Sequence, residues 1–191
     1  MSKKKTFPFY KPSVFYHRRF VLTFLFISAA AIPLYFICYS YFQNKGSGLP
    51  FDDAFIHLTF ARNITEYGSF SFFKNEMSTS GSSSPLYTFI LALGSSFFNN
   101  EFFLCYFTGI LFFGFSSIVF FKIIRLEYGS NNIYIIATAA IFVLDKHMIF
   151  FSVSGMETIL FILILLASLY FYRTSKAVPL ALSLGLTIWT R

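Results

Sequence analysis

Between Arg19 and Lys45 the chain carries no charged side chain, and the run Phe20 to Phe42 inside that interval is 23 residues of mostly apolar sequence. As a helix rising 1.5 Å per residue it measures about 35 Å, enough to cross the roughly 30 Å hydrocarbon core of a bilayer. It is too long for the core of a cleaved signal peptide, and no small-residue cleavage motif closes it. The sequence therefore predicts a retained membrane anchor. Composition carries the same message: 12% charged residues against about 25% in soluble domains. Further apolar blocks follow without the strict alternation of barrel strands, so helices are the expected way to satisfy the backbone in lipid.

The net charge of +7 is unevenly spread. Lys3, Lys4, Lys5, Lys11, Arg18 and Arg19 all precede the first apolar run, which makes residues 1–19 a cytoplasmic basic tail by the positive-inside rule and places the amino terminus inside. A nucleic-acid-binding arm is disfavoured, because no soluble basic face follows it. Cys38 and Cys105 both lie in apolar segments and are expected to be small buried hydrophobes, not a disulfide or a zinc site.

After Phe42 the segment Gln43–Pro50 breaks the helix and opens an outer loop over residues 43–101. Asp52 or Asp53 can cap an amphipathic juxtamembrane helix over 53–66, with Tyr67-Gly68 ending it. Ser78–Ser84 is a turn region, and Pro85 starts a second short helix over 85–98. At roughly 20 Å that helix is too short to cross, and charge bias agrees: with it at the interface, the span 102–121 runs inward and puts Lys122 and Arg125 on the cytoplasmic side. Spans at 132–151, 158–172 and 177–190 then alternate, and Arg173 and Lys176 fall inside, with Arg191 near the outer surface. The expectation is one all-α, polytopic membrane helical bundle over 20–191 with Tyr35, Tyr39 and Tyr41 in an interfacial aromatic belt. Its last apolar helix meets no closing loop, so a continuation of the chain is expected.

Several polar groups interrupt this apolar background. Asp52-Asp53 stands just beyond the outer end of the first span, where one carboxylate can act as general base or bind a metal while the other orients it; an ordinary helix cap is the plain alternative. His57 follows Asp53 by four residues and can share its face, to orient the acid or bind phosphate. Arg62 and Lys74 can neutralise a phosphorylated lipid, or serve only as solvated loop charges. Asp145-Lys146-His147 breaks an apolar span, where such groups normally face a bundle interior, cavity or interface; Lys146 can also snorkel and pair with Asp145. Glu157 begins the next helix and can cap it.

In order and spacing, Phe51-Asp52-Asp53-Ala54-Phe55-Ile56, Ala61-Arg62-Asn63, Gly81-Ser82-Ser83-Ser84-Pro85-Leu86-Tyr87, Ser154-Gly155-Met156-Glu157-Thr158 and Leu186-Thr187-Ile188-Trp189-Thr190-Arg191 resemble the amino-terminal half of bacterial multi-pass glycosyltransferases of the GT-C fold. The likeness is to the arabinofuranosyltransferase-like and uncharacterised branch, and spans roughly residues 15–191. It implies a GT-C-like bundle in the bacterial inner membrane that moves a sugar from a polyprenyl phosphate to an envelope glycan, lipid or protein acceptor at the outer face. The family's catalytic acid corresponds to Asp52 and its second acid to Asp53. Asp53, His57 and Glu157 would orient the loop or acceptor, and Arg62, Lys74 or Lys146 would stabilise the donor phosphate. Some relatives use a divalent cation, for which Asp52 or Asp53 would be the ligand; the residues give no independent metal signature. Asp145-Lys146-His147 departs from the small, apolar or proline-containing pattern expected there.

Two other classes compete. A non-enzymatic membrane assembly protein would use the Phe-rich helix faces and tolerate replacement of Asp52. A transporter would use Asp145-Lys146-His147 and the membrane-adjacent acids as a polar pathway, but no inverted repeat supports one.

Overall fold

The computed structural model describes residues 18–74, 76–129 and 133–190. The basic tail over 1–17, the start of the third predicted span at Asn132, and Arg191 lie outside the described residues. Among the described residues the architecture is all-α: α1 Arg18–Asn44, α2 Asp52–Tyr67, α3 Pro85–Ser95, α4 Glu101–Tyr128, α5 Ile133–Leu144, α6 Lys146–Val153, α7 Thr158–Arg173 and α8 Ala177–Trp189.

Local chemistry explains the boundaries. α1 stops where Lys45 takes a left-handed conformation, φ 53°. α2 ends as expected at Gly68, whose φ of 66° suits a residue without a Cβ and whose N–H closes on the Ile64 carbonyl at 3.0 Å. Pro85 opens α3, where its missing N–H costs nothing. α3 is shorter than the predicted 85–98, because the Gly94 carbonyl accepts from both Phe97 and Phe98 and winds the chain into a turn. Asn100 caps α4 by accepting from the Phe103 N–H at 3.0 Å. α4 outruns the predicted 102–121, so Lys122 and Arg125 are helical.

α4 is the central element and packs against α7, α1, α6 and α5. Where it meets α6, Gly109 has no room for a side chain: a Cβ there would collide with the backbone carbonyl oxygen of Ser152. One apolar cluster joins Val21, Leu25 and Ala29 of α1 to Phe113, Phe121 and Ile124 of α4 and to Ile135, Ala139 and Val143 of α5. A second joins Leu58 and Ala61 of α2 and Tyr87, Leu91 and Ala92 of α3 to Leu104 and Cys105 of α4 and Leu160 and Ile164 of α7. The loop between α1 and α4 is thus a folded layer seated on the first turns of α4 and α7.

These contacts sort the charges. The Arg173 guanidinium pairs with Glu127, and Lys122 Nζ sits 5.9 Å from the centre of the Tyr170 ring, so the last turns of α4 and α7 lie together. Val21 and Leu25 bring the start of α1 to that same end. Arg19, Lys122, Arg125, Arg173 and Lys176 therefore gather at one end of the bundle with Glu127 as its acid. The first loop and the other acids belong to the opposite part, on α2, on the opening turns of α4 and α7, and at the break after α5.

α1 and α4 are long and apolar enough to cross a membrane, and α5 with α6, bent by 47° at their junction, pass together as a third span. Helices form where the spans 158–172 and 177–190 were expected, but α7 and α8 have 16 and 13 residues and are shorter apolar helices. By length and composition, two helices are thus long enough to span, or three with the bent pair, among the described residues. The predicted continuous helix 132–151 is corrected to two helices, for the capping reason given below. Cys105 is buried as expected, whereas Cys38 is exposed, because the face of α1 that carries it meets no other helix.

Candidate functional site

The expectation that Asp52 or Asp53 caps α2 is corrected. Phe51 holds the N-cap position without a side-chain cap, and both acids lie in the first helical turn, at the positive end of the helix dipole. Both are exposed and have no side-chain partner among the described residues. The start of α2 is fixed instead by aromatic edges: Phe51 against Phe150 of α6 at 5.6 Å and Phe55 against Phe102 of α4 at 6.3 Å. Beneath this turn runs Ser154-Gly155-Met156-Glu157. Gly155 has φ 74°, and a Cβ on it would stand 2.9 Å from Leu49 and 3.1 Å from Ala54. Only glycine allows that approach, which delivers Glu157 to the underside of α2.

Glu157 occupies the N-cap position of α7 but makes no cap bond there. Its carboxylate reaches back to His57, with Oε2 3.1 Å from Nε2, and the two side chains are only 2% and 13% exposed. On the other side of the ring, Nδ1 lies 2.9 Å from Ser82 Oγ and 3.4 Å from Thr88 Oγ1, and these two hydroxyls are 2.7 Å apart. A carboxylate accepts only, so Nε2 is the donor to Glu157, and the two hydroxyls complete the network on Nδ1. Tyr87 packs edge-on to the imidazole at 5.6 Å. Burial pushes its phenol well above the ordinary tyrosine value. Among the described residues the phenol makes no hydrogen bond of acceptable geometry.

The structure thus brings His57, which follows Phe51–Ile56, together with Ser82 and Tyr87 of Gly81–Tyr87 and with Glu157 of Ser154–Thr158. Asn63 adds a fourth tie, buried and donating from Nδ2 to the carbonyls of Ser71 at 2.8 Å and Phe72 at 2.9 Å. Ser82, Thr88 and Asn63 were not assigned roles from sequence. Small hydroxyls in a serine-rich turn look alike until the fold selects one.

Other predicted site residues fall elsewhere. Arg62 forms a bidentate pair with Glu101, with distances of 2.7–2.8 Å, so Nε and Nη2 of its guanidinium are tied to α4. Lys74 and Lys146 are exposed and make no contact with the His57 cluster. The Asp145-Lys146-His147 group does not face the interior: Asp145 caps α6 through the His147 N–H at 2.9 Å and the Met148 N–H at 3.0 Å, while Lys146 and His147 are exposed. Capping ends α5 and starts α6 on a new axis, which is why the span bends there. Among the described residues no three His, Cys, Asp or Glu side chains come close enough to hold a metal ion. Asp52 and Asp53 remain an adjacent acidic pair, without a third ligand beside them.

No family model, no curated protein and no solved structure matches this chain.

Proposed function

We propose that the chain is a membrane glycosyltransferase of GT-C type that transfers a sugar from a polyprenyl phosphate to an envelope glycan, lipid or protein acceptor. The observation that supports this reading is the meeting of three of the resembling segments around His57, with two unpaired carboxylates exposed above a buried His57–Glu157 pair. Asp52 accepts the proton of an acceptor hydroxyl as the oxygen attacks the anomeric carbon, and the polyprenyl phosphate leaves with the electron pair of the broken bond. Single displacement inverts the anomeric centre. Asp53 orients the acceptor or shares a divalent cation with Asp52. His57 and Glu157 act as positioning residues, since both are buried beneath the turn that carries the acids. Lys74 and Lys146 are exposed cations for the donor phosphate, and Arg62 would join them through Nη1, since its Nε and Nη2 bond Glu101.

The same reading orients the protein. The end with Arg19, Lys122, Arg125, Arg173 and Lys176 faces the cytoplasm of a bacterial inner membrane, and the acidic layer faces outward. The transporter reading draws less support, because Asp145 caps α6 and Lys146 and His147 are exposed. An assembly role draws on the exposed apolar face of α8, including Val178, Leu182 and Ile188.

Turnover of polyprenyl-phosphate sugars in membranes carrying the protein tests the proposal. Asp52→Asn should lower turnover by about 10²-fold or more, the usual worth of a general base, with the melting temperature unchanged. Undiminished turnover in Asp52→Asn would remove Asp52 as the general base, and no turnover by wild type across a broad donor panel would leave the assembly role in its place.

A further inference from the structure

A cavity of about 470 Å³ opens between the last turns of α1, the segment joining α1 to α2, α4 and α6. Its wall combines two chemistries: aromatic rings from Phe36, Tyr106 and Phe150, and amide or hydroxyl groups from Asn44, Ser40 and Ser47. No charged side chain lines it. Lys45, between two lining residues in sequence, is exposed and does not contribute to the wall. The rim is held in place, because the Tyr106 hydroxyl donates to the Gly48 carbonyl at 2.6 Å. It also keeps spare capacity: Asn44 donates to Ser40 Oγ at 3.2 Å, which leaves its amide oxygen available, and the Ser47 hydroxyl has no partner among the described residues.

This wall selects against most ligand classes. A phosphate, carboxylate or ammonium group against this half-open wall would meet no charged side chain of the lining. A hydrocarbon chain would cover the Asn44 and Ser47 groups without replacing their hydrogen bonds to water. An uncharged sugar satisfies both halves, with its C–H face on an aromatic ring and its hydroxyls on the amide and serine groups. The volume is within the range of about 300–1,000 Å³ typical of small-molecule sites. Pro50 of the wall stands two residues before Asp52, and Leu49 of the wall packs against Gly155 in the turn that carries Glu157.

We propose that this cavity binds an uncharged sugar unit beside the acidic turn of α2. The assignment rests on the glycosyltransferase reading for its catalytic meaning, but the binding itself is measurable without turnover. The same neutral ring can arrive as the end of a soluble acceptor glycan or as the sugar of the lipid-linked donor.

The test is saturation-transfer NMR on the full-length protein in nanodiscs, using methyl glycosides and disaccharides of neutral hexoses. Matched uronic acids and sugar phosphates serve as charged controls. Gly48→Trp fills the cavity at a position where a new Cβ meets nothing within 4 Å, and Asn44→Leu removes the amide edge. Millimolar binding of at least one neutral sugar is expected, with roughly tenfold loss in both variants at unchanged melting temperature and at least tenfold weaker binding of the charged controls. Competition by a short-chain polyprenyl-phosphate sugar but not by free polyprenyl phosphate assigns the ring to the donor; competition by neither assigns it to the acceptor. No binding by any neutral sugar, wild-type binding by folded Gly48→Trp, equal binding of charged sugars, or displacement by decanol alone would overturn the assignment. Cavity-dependent sugar binding without turnover of any donor leaves the cavity standing and removes the transferase. Turnover unaffected by Gly48→Trp removes the cavity alone.

Discussion

Replacing Glu157 by leucine removes the acceptor of a buried histidine while keeping side-chain bulk. His57 is 1% exposed and loses its Nε2 partner at 3.1 Å. A hydrogen bond to a charged group contributes about 1.5–3 kcal/mol, and an orphaned buried donor costs a similar amount; the two describe one loss and are not summed. Glu157→Leu should therefore destabilise by about 2–3 kcal/mol, which for a chain of this length corresponds to a fall of roughly 5–10 °C in Tm. Glu157→Gln, which retains an acceptor oxygen, should cost about 1 kcal/mol or less. Thermal unfolding of the detergent-solubilised protein reads both. A double-mutant cycle with His57→Phe then isolates the pair, with an expected coupling of about 1–2 kcal/mol. Glu157→Leu within about 0.5 kcal/mol of wild type, or strictly additive single changes, would show that the pair does not fasten α2 to α7 and would refute the reasoning.

Two further perturbations follow from burial and close approach. The Tyr87 phenol is raised by burial, so its contribution is complete below the unfolded value of about 10 and is lost as pH climbs above it; wild-type stability should fall more steeply between pH 9 and 11 than that of Tyr87→Phe, and parallel denaturant curves would contradict this. Since that phenol has no hydrogen-bond partner, Tyr87→Phe should be neutral or stabilising at pH 7. Gly109→Ala drives a Cβ into the Ser152 carbonyl and should cost about 1–3 kcal/mol by prising α4 from α6, whereas Gly185→Ala, which meets open space on α8, should be neutral or gain up to about 1 kcal/mol; equal melting temperatures would refute the close approach.

Much of the helical layout was legible in the sequence, because its causes are local. The charge-free run after Arg19 demands a helix whatever surrounds it, and Gly68 and Pro85 mark the boundaries of α2 and α3 through their own backbone geometry. Even the break at Asp145 had a local signal, an Asp two and three residues ahead of two free N–H groups, but in an apolar span the charge drew attention to the interior instead of to the cap. The acidic pair was also visible, as an isolated polar feature beside a membrane span.

What surrounds that pair was not. His57 and Glu157 are 100 residues apart, and each has an ordinary local reading, as an interfacial polar group and as a helix cap. Ser82 is one of several serines in its turn, and Arg62 reads as a free cation until α4 brings Glu101 beside it. Helix positions and the basic flanks of the spans are readable locally, because hydrophobic length and charge act on the chain segment that carries them. Which polar groups meet is a matter of packing, because a buried hydrogen bond depends on two distant segments reaching within about 3 Å of one another, and the contacts around α4 and Gly155 set that distance.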